Sequence, residues 1–343
     1  MNKKVLEVNN LQTHFFTDSG EIPAVDDISF FIEEGEVLGV VGESGCGKSV
    51  TSLSIMGLVP KPPGEIVGGE VLFRQHGDKE PQNLVKLSQK QMRKIRGNQI
   101  SMIFQEPMTS LDPLFKIGFQ ITEGLRRHRK MSKKEAARKA VELLELVGIP
   151  RPDAVADEYP HQLSGGMRQR VMIAIAMSGD PEVLIADEPT TALDVTIQAQ
   201  ILELMKRLND EQGTAILLVT HDLGVVAEIC HRVVVMYAGK VVEQGDVRTI
   251  LKDPKHPYTQ GLIRSLPKLS NRDKRLYSIP GNVPKPGSIR TGCRFAARCP
   301  HVFDRCVKED PELLNLKEGH LCRCFLYDEN GGVADDSKAT AES

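Results

Sequence analysis

Short, continuous apolar runs recur up to about residue 250: Glu36–Val41, Ile100–Phe104, Val183–Ala186, Ala215–Thr220 and Val233–Tyr237. Runs this short, rich in Val and Ile, read as strands buried on both faces. Helical patterns lie between them, at Ser49–Met56, through most of residues 108–180, over Val195–Glu211 and in a short segment from Leu223. The clearest helix opens on the capping-box pair Ser132 and Glu135. It carries Ala136, Ala137, Ala140, Leu143, Leu144 and Val147 as an apolar stripe and stops at Gly148. Val5–Val8, Ala24–Ile32 and Glu70–Phe73 add strand-like pieces near the N-terminus, with a polar turn at Asp18-Ser19-Gly20. Ala238-Gly239-Lys240 can fold Val233–Tyr237 back into a hairpin with Val241–Glu243. Strands alternating with helices predict an α/β fold around a mainly parallel sheet. Beyond residue 250, Pro254, Pro257, Pro267, Pro280, Pro284 and Pro286 interrupt any long element and predict an irregular extension. From about Glu329 the residues are small and polar, the composition of a disordered tail.

Composition narrows the function classes. The 343 residues are 40% hydrophobic and 26% charged, as in a soluble globular protein with a sizeable core. A net charge of -2 supplies no electrostatic footprint for nucleic acid. No apolar run approaches the roughly 20 residues of a spanning helix. Met1-Asn2-Lys3-Lys4-Val5 lacks a signal-peptide core, so the expected compartment is the cytosol.

Gly42-Glu43-Ser44-Gly45-Cys46-Gly47-Lys48-Ser49 fits G-x-x-x-x-G-K-[ST] between a predicted strand and a predicted helix. Glycines let the backbone wrap an anion, and the helix N-terminus presents free N–H groups to phosphate oxygens. Lys48 is placed to reach the β- and γ-phosphates and Ser49 to ligate Mg²⁺. The strand Val183–Ala186 ends on Asp187-Glu188. Beside a phosphate loop, Asp187 suits Mg²⁺, held directly or through water, and Glu188 suits polarising a water for in-line attack. Ser164-Gly165-Gly166, opening a predicted helix, forms a second anion nest. One chain seldom needs two such nests unless the second serves a nucleotide held by another subunit. Phe15 and Phe16, well upstream of the loop, pack in the core or stack on an adenine ring.

Leu163-Ser164-Gly165-Gly166-Met167-Arg168-Gln169-Arg170 resembles the signature of ATP-binding cassette (ABC) ATPases. Gln105, Ala192-Leu193-Asp194 and Thr220-His221-Asp222 stand in that family's order. The resemblance implies a P-loop ABC nucleotide-binding domain over residues 1–250, with a mixed, mainly parallel sheet, an antiparallel β subdomain and a helical subdomain at about 108–180. It implies ATP and Mg²⁺ sandwiched between the loop of one subunit and the Ser164–Gly166 nest of another. Carried onto this chain, Glu188 is the base, His221 the γ-phosphate sensor, and Lys48 and Gln105 complete the catalytic set. Phe15 (Phe16 as the weaker candidate), residues 42–49, Val50, Ser164, Gly165, Gly166 and Asp194 bind nucleotide. Ser49, Gln105 and Asp187 hold Mg²⁺.

Met167 departs from the commonest signature, which has Gln there, and resembles the oligopeptide/dipeptide importer branch. His256-Pro257-Tyr258-Thr259, running on to Leu266-Pro267, resembles that branch's C-terminal extension, here about residues 251–328. The implied partners are two transmembrane permease subunits, a second and different ATPase chain and, indirectly, a solute-binding protein, at the cytoplasmic face of a membrane. Nickel and an exported peptide are alternative cargoes. A soluble ABC protein acting on DNA or ribosomes is the remaining alternative, disfavoured by the charge and by the absence of a coiled-coil insertion.

Seven cysteines are present, five of them between Cys293 and Cys324. Their spacing misses the usual paired zinc pattern. The resemblance implies a 4Fe-4S cluster on Cys293, Cys299, Cys306 and Cys324, with Cys322 as the alternative fourth ligand.

Overall fold

The computed structural model describes residues 3–18, 20–77, 80–105, 110–191, 193–266 and 277–328. Glu106-Pro107, Ala192, Pro267 and the tail expected to be disordered from Glu329 lie outside the described residues.

The chain opens on a long antiparallel hairpin of Lys4–Thr17 (β1) and Gly20–Glu33 (β2). Val37–Val41 (β3) follows and leads into Lys48–Ile55 (α1). Gly64–Phe73 (β4) and Gln82–Asn83 (β5) complete a four-stranded antiparallel sheet in the order β2-β1-β4-β5. Gln89–Ile95 (α2) precedes Ile100–Ile103 (β6). The helical region then holds Ile117–His128 (α3), Lys133–Leu146 (α4), Pro152–Ala156 (α5) and Gly165–Met177 (α6). The α/β alternation resumes with Val183–Asp187 (β7), Val195–Gln212 (α7), Ala215–Thr220 (β8), Leu223–Ile229 (α8) and Arg232–Tyr237 (β9). Lys240–Asp246 (β10), Val247–Lys252 (α9), Pro257–Arg264 (α10), Asp304–Lys308 (α11), Leu314–Lys317 (β11) and His320–Cys322 (β12) follow.

The apolar runs form five adjacent strands, β9-β3-β8-β7-β6, of an eight-stranded sheet ordered β11-β12-β10-β9-β3-β8-β7-β6. It is parallel from β9 to β6 and antiparallel from β9 to β11. Both faces are covered, and the two-residue period of a strand sorts its side chains between them. Val183, Ile185, Ala215, Leu217 and Val219 join Val5, Leu6, Val8 and Ile28 of the hairpin. Leu184, Ala186, Ile216 and Leu218 join Leu144, Ile173 and Met205 of the helices. This arrangement holds β3 and β7 rigid and delivers their C-terminal ends to one edge, where ligands bind in open α/β sheets.

Helix α4 shows how local sequence sets these elements. Ser132 Oγ accepts the Glu135 N–H, and Glu135 Oε2 accepts the Ser132 N–H. Ala136, Ala140, Leu143 and Leu144 are buried, and Gly148 takes φ +74° just past the end.

The structure departs from the sequence reading in two places. Val5–Val8 and Ala24–Ile32 are parts of 14-residue strands, and Glu70–Phe73 of a ten-residue one, because partly buried positions continue the pairing. The extension is also more regular than its prolines suggest. Pro257 sits at the first turn of α10, where a missing N–H is harmless, and His256 Nδ1 accepts the Tyr258 N–H as a cap. Strand β12 pairs with β10 (Glu243↔Cys322), so the extension widens the same sheet that carries the phosphate loop. Tyr258 and Phe295 pack on Tyr237 with ring centroids 4.6 and 5.2 Å away.

Candidate active site

The phosphate loop turns between β3 and α1 under tight steric limits. Gly47 has φ +98°, and a Cβ there would lie 2.4 Å from the Ala24 carbonyl oxygen. At Gly42 a Cβ would lie 2.3 Å from the Met236 carbonyl oxygen. Both contacts are to backbone, so neither position accepts a side chain without moving β2 or β9. Gly47→Ala is therefore expected to lower unfolding stability by about 1–3 kcal/mol and to abolish nucleotide binding, as checked by urea unfolding and ATP titration. Wild-type ATP affinity in that variant would refute the steric account. Within the loop, Lys48 Nζ donates to the Gly42 and Glu43 carbonyls at 2.8 and 3.1 Å. Cys46 is buried beneath it, and Glu43 turns its carboxylate toward Arg298.

The acidic end of β7 faces this loop. Ser49 Oγ donates to Asp187 Oδ1 at 3.0 Å. Burial pushes the Asp187 carboxyl up to about 6, and the hydrogen bond from Ser49 only partly offsets that. A buried carboxylate whose charge is under-compensated, beside a hydroxyl, is a donor pair that suits a hard cation. Mg²⁺ sites of this kind take one or two carboxylates and complete their shell with substrate phosphates and water. Ser49 and Asp187 fit that requirement. The Gln105 amide instead points at Glu188.

Glu188 occupies the left-handed region at φ +48°, with its N–H donated to the Val219 carbonyl at 2.8 Å. Its side chain is held from three directions. Gln105 Nε2 donates to Oε2 at 3.1 Å, Thr191 Oγ1 donates to the same oxygen at 2.9 Å, and His221 Nδ1 lies 3.4 Å from Oε1. Burial works to raise this carboxyl, but the Thr191 and His221 interactions outweigh it and hold the group below its ordinary value. Glu188 is thus an oriented, ionised acceptor at neutral pH. Thr191 was not anticipated; its position three residues after Glu188 is the signal that could have found it.

One cavity of about 430 Å³ gathers Phe15, Lys48, Ser49, Val50, Gln105 and Glu188, with Ser44, Gly45 and Gly47 along its wall. Phe16 is half exposed and does not line it. Ser164, Gly165, Gly166 and Asp194 do not line it either. Ser164 caps α6 by accepting the Met167 N–H at 3.3 Å, and a Cβ on Gly165 would meet nothing within 4 Å. Asp194 caps α7 through the Ile197 N–H at 2.9 Å, and Gly166 packs on the Ile197 side chain. The two helix N-termini therefore stand together, apart from the cavity that holds Lys48.

The expectation of an iron–sulfur cluster is corrected. Among the described residues, no group of three or more His, Cys, Asp or Glu side chains could hold a metal ion. Cys293, Cys299, Cys306 and Cys324 line a narrow cavity of about 10 Å³ with Pro257, Phe295 and Phe325. That is space for a single water at most. Burial pushes the Cys293 thiol up to about 11 and the Cys324 thiol up to about 12. Cys322, the alternative fourth ligand, is buried within β12 and raised further still. The cysteines pack as small hydrophobes that close the extension onto the core.

Comparison with known proteins agrees with this geometry. A family profile described as "ABC transporter" matches residues 25–191, and one described as "Oligopeptide/dipeptide transporter, C-terminal region" matches residues 242–306. The chain is 55% identical over 327 residues to the oligopeptide transport ATP-binding protein AppD of Bacillus subtilis (strain 168), covering 95% of this chain and 98% of that one. It is 49% identical over 339 residues to the dipeptide transport ATP-binding protein DppD of the same organism, covering 98% and 99%. Among solved structures, the dimeric post-hydrolysis state of the ATP-binding cassette MJ0796 bound to ADP and Pi matches with a TM-score of 0.63 and 29% identity. That match covers 71% of this chain and 99% of that chain. The chain belongs to the ABC ATPases, in the oligopeptide/dipeptide transporter branch.

Proposed function

We propose that this chain hydrolyses ATP to power the import of di- and oligopeptides through a membrane transporter. The observation that carries the reading is the clasp of Gln105, Thr191 and His221 around the Glu188 carboxylate, beside the Lys48 and Ser49 loop. Such a carboxylate accepts a proton from water attacking a γ-phosphate, while Lys48 stabilises the charge that develops on the transferred group. Ser49 and Asp187 would hold Mg²⁺, which when bound would neutralise phosphate charge. Phe15 supplies a flat apolar wall for the base. His221, more than half exposed, is free to meet a γ-phosphate.

Hydrolysis needs a second subunit in this reading. The Ser164–Gly166 nest is solvent-facing and lies outside the Lys48 cavity, so it serves a nucleotide bound to a partner ATPase chain. Binding of the permeases falls to a groove of about 540 Å³ lined by Met56, Leu58, Met102, Phe104, Leu111 and Ile175. Leu114, Phe115 and Phe119 stand exposed nearby in sequence, a concentration of apolar surface that suits a partner helix. Gln105, next to Phe104, links that groove to Glu188. No helix among the described residues is long and apolar enough to cross a membrane. The reading therefore assigns the chain to the membrane's cytoplasmic face through these partners.

Co-expression with candidate permease and binding-protein chains tests it. ATP turnover in proteoliposomes is expected to rise when peptide-loaded binding protein is added. Stimulation by nickel instead of peptide, or activation by DNA or ribosomes without permease chains, would overturn the cargo or the transport role respectively.

A further inference from the structure

The phosphate loop is gripped by residues far from it in sequence. Arg298 Nη1 donates to Glu43 Oε2 at 2.7 Å, and Nη2 donates to Oε1 at 3.1 Å. This is a two-pronged guanidinium–carboxylate pair, the strong form of such contacts. The Arg298 side chain is only 5% exposed. Its remaining donors are also used, Nε on the Pro280 carbonyl at 2.9 Å, Nη2 on the Ile279 carbonyl at 3.3 Å, and Nη1 on Tyr237 Oη at 3.2 Å. The guanidinium is thus fixed by the extension and by β9 together. Tyr258, also from the extension, accepts the Glu43 N–H on its hydroxyl at 2.8 Å. Glu43 is held at both its backbone and its side chain.

We propose that Arg298 is a positioning residue of the ATP site, holding Glu43 and neutralising its charge so that the phosphate loop accepts a triphosphate. The inference rests on the reading of the Lys48 cavity as an ATP site. One contact and one charge make the connection physical. Lys48 Nζ donates to the Glu43 carbonyl, so the place of Glu43 helps to set the place of the phosphate-binding ammonium. Glu43 is itself an anion on a loop built to receive anions, and an unpaired carboxylate there opposes phosphate. Pro286 lines the same cavity, so the extension also forms part of its wall. Arg298 donates to Glu43, Tyr237, Ile279 and Pro280 and to none of the residues that hold Glu188, so its loss is expected to fall on nucleotide affinity more than on kcat.

The test uses the full chain, with the affinity for Mg-ATP measured by a fluorescent ATP analogue and kcat measured separately. Arg298→Ala is expected to weaken binding about tenfold while kcat at saturating ATP stays within about twofold. Glu43→Gln placed in the Arg298→Ala background is expected to recover most of the lost affinity, because it removes the unpaired charge. Arg298→Lys, which keeps charge but not the two-pronged geometry, is expected to lose only about threefold. It carries the test, with the same recovery by Glu43→Gln, if Arg298→Ala does not fold. Wild-type affinity in folded Arg298→Ala, or no recovery in the double variant, would overturn the proposal while leaving the ATP site intact. A wild-type chain that binds no Mg-ATP would instead overturn the site reading, and this inference with it.

Discussion

Glu188→Gln is expected to cut ATP turnover by about a thousandfold, the scale of a lost general base, while ATP binding stays at the wild-type level. The substitution suits the question because it changes charge and basicity with little change in shape. Glu188 Oε2 accepts from both Gln105 Nε2 and Thr191 Oγ1, and an amide oxygen in the same place still accepts from both. The substituted amide nitrogen then faces His221, whose ring nitrogen can accept. The clasp survives, and only the ability to take a proton from water is lost. With ATP bound and not consumed, the two-subunit closed state is expected to accumulate and to be visible as a dimer by light scattering in Mg-ATP when the partner ATPase chain is present. Wild-type-like hydrolysis would remove Glu188 from the base role. Loss of ATP binding would show that the carboxylate serves the loop's structure rather than the reaction.

What could be read in the sequence, and what could not, follows from how each contact is built. The phosphate loop, the Asp187-Glu188 pair and the Ser164–Gly166 nest are local motifs whose chemistry sits on consecutive residues. The alternating apolar runs located β3, β6, β7, β8 and β9 because a strand buried on both faces leaves an unmistakable pattern. The hairpin β1–β2 was only half visible, since its outer positions are partly exposed and polar. Arg298 and Glu43 are separated by 255 positions, and no periodicity connects them; only packing of the extension against Tyr237 brings them together. The cysteines mark the opposite failure. Their clustering in sequence is real in space, where four of them line one cavity, but proximity is not ligation. They line a narrow pocket of about 10 Å³ with Pro257, Phe295 and Phe325, and among the described residues no group of three or more His, Cys, Asp or Glu side chains could hold a metal ion.

Gly165→Asp separates the two halves of the proposed site. Gly165 opens α6, and a Cβ there meets nothing within 4 Å, so the folded subunit accepts the side chain without strain. An acid in the first turn also favours the helix dipole, worth about 0.3–1 kcal/mol, so unfolding stability is expected to be unchanged or slightly higher. The subunit's own Lys48 cavity does not include this residue, so ATP binding to the isolated chain is expected to match wild type. The same carboxylate nevertheless fills an anion nest with negative charge, and a partner's γ-phosphate would be repelled from it. Hydrolysis is therefore expected to fall at least about a hundredfold, with ATP-driven dimerisation lost, as when an oriented oxyanion donor is removed. A destabilised fold would make the result uninformative for most signature variants, and here the helix physics predicts the reverse. Normal turnover in this variant would mean that the nest is only a helix cap.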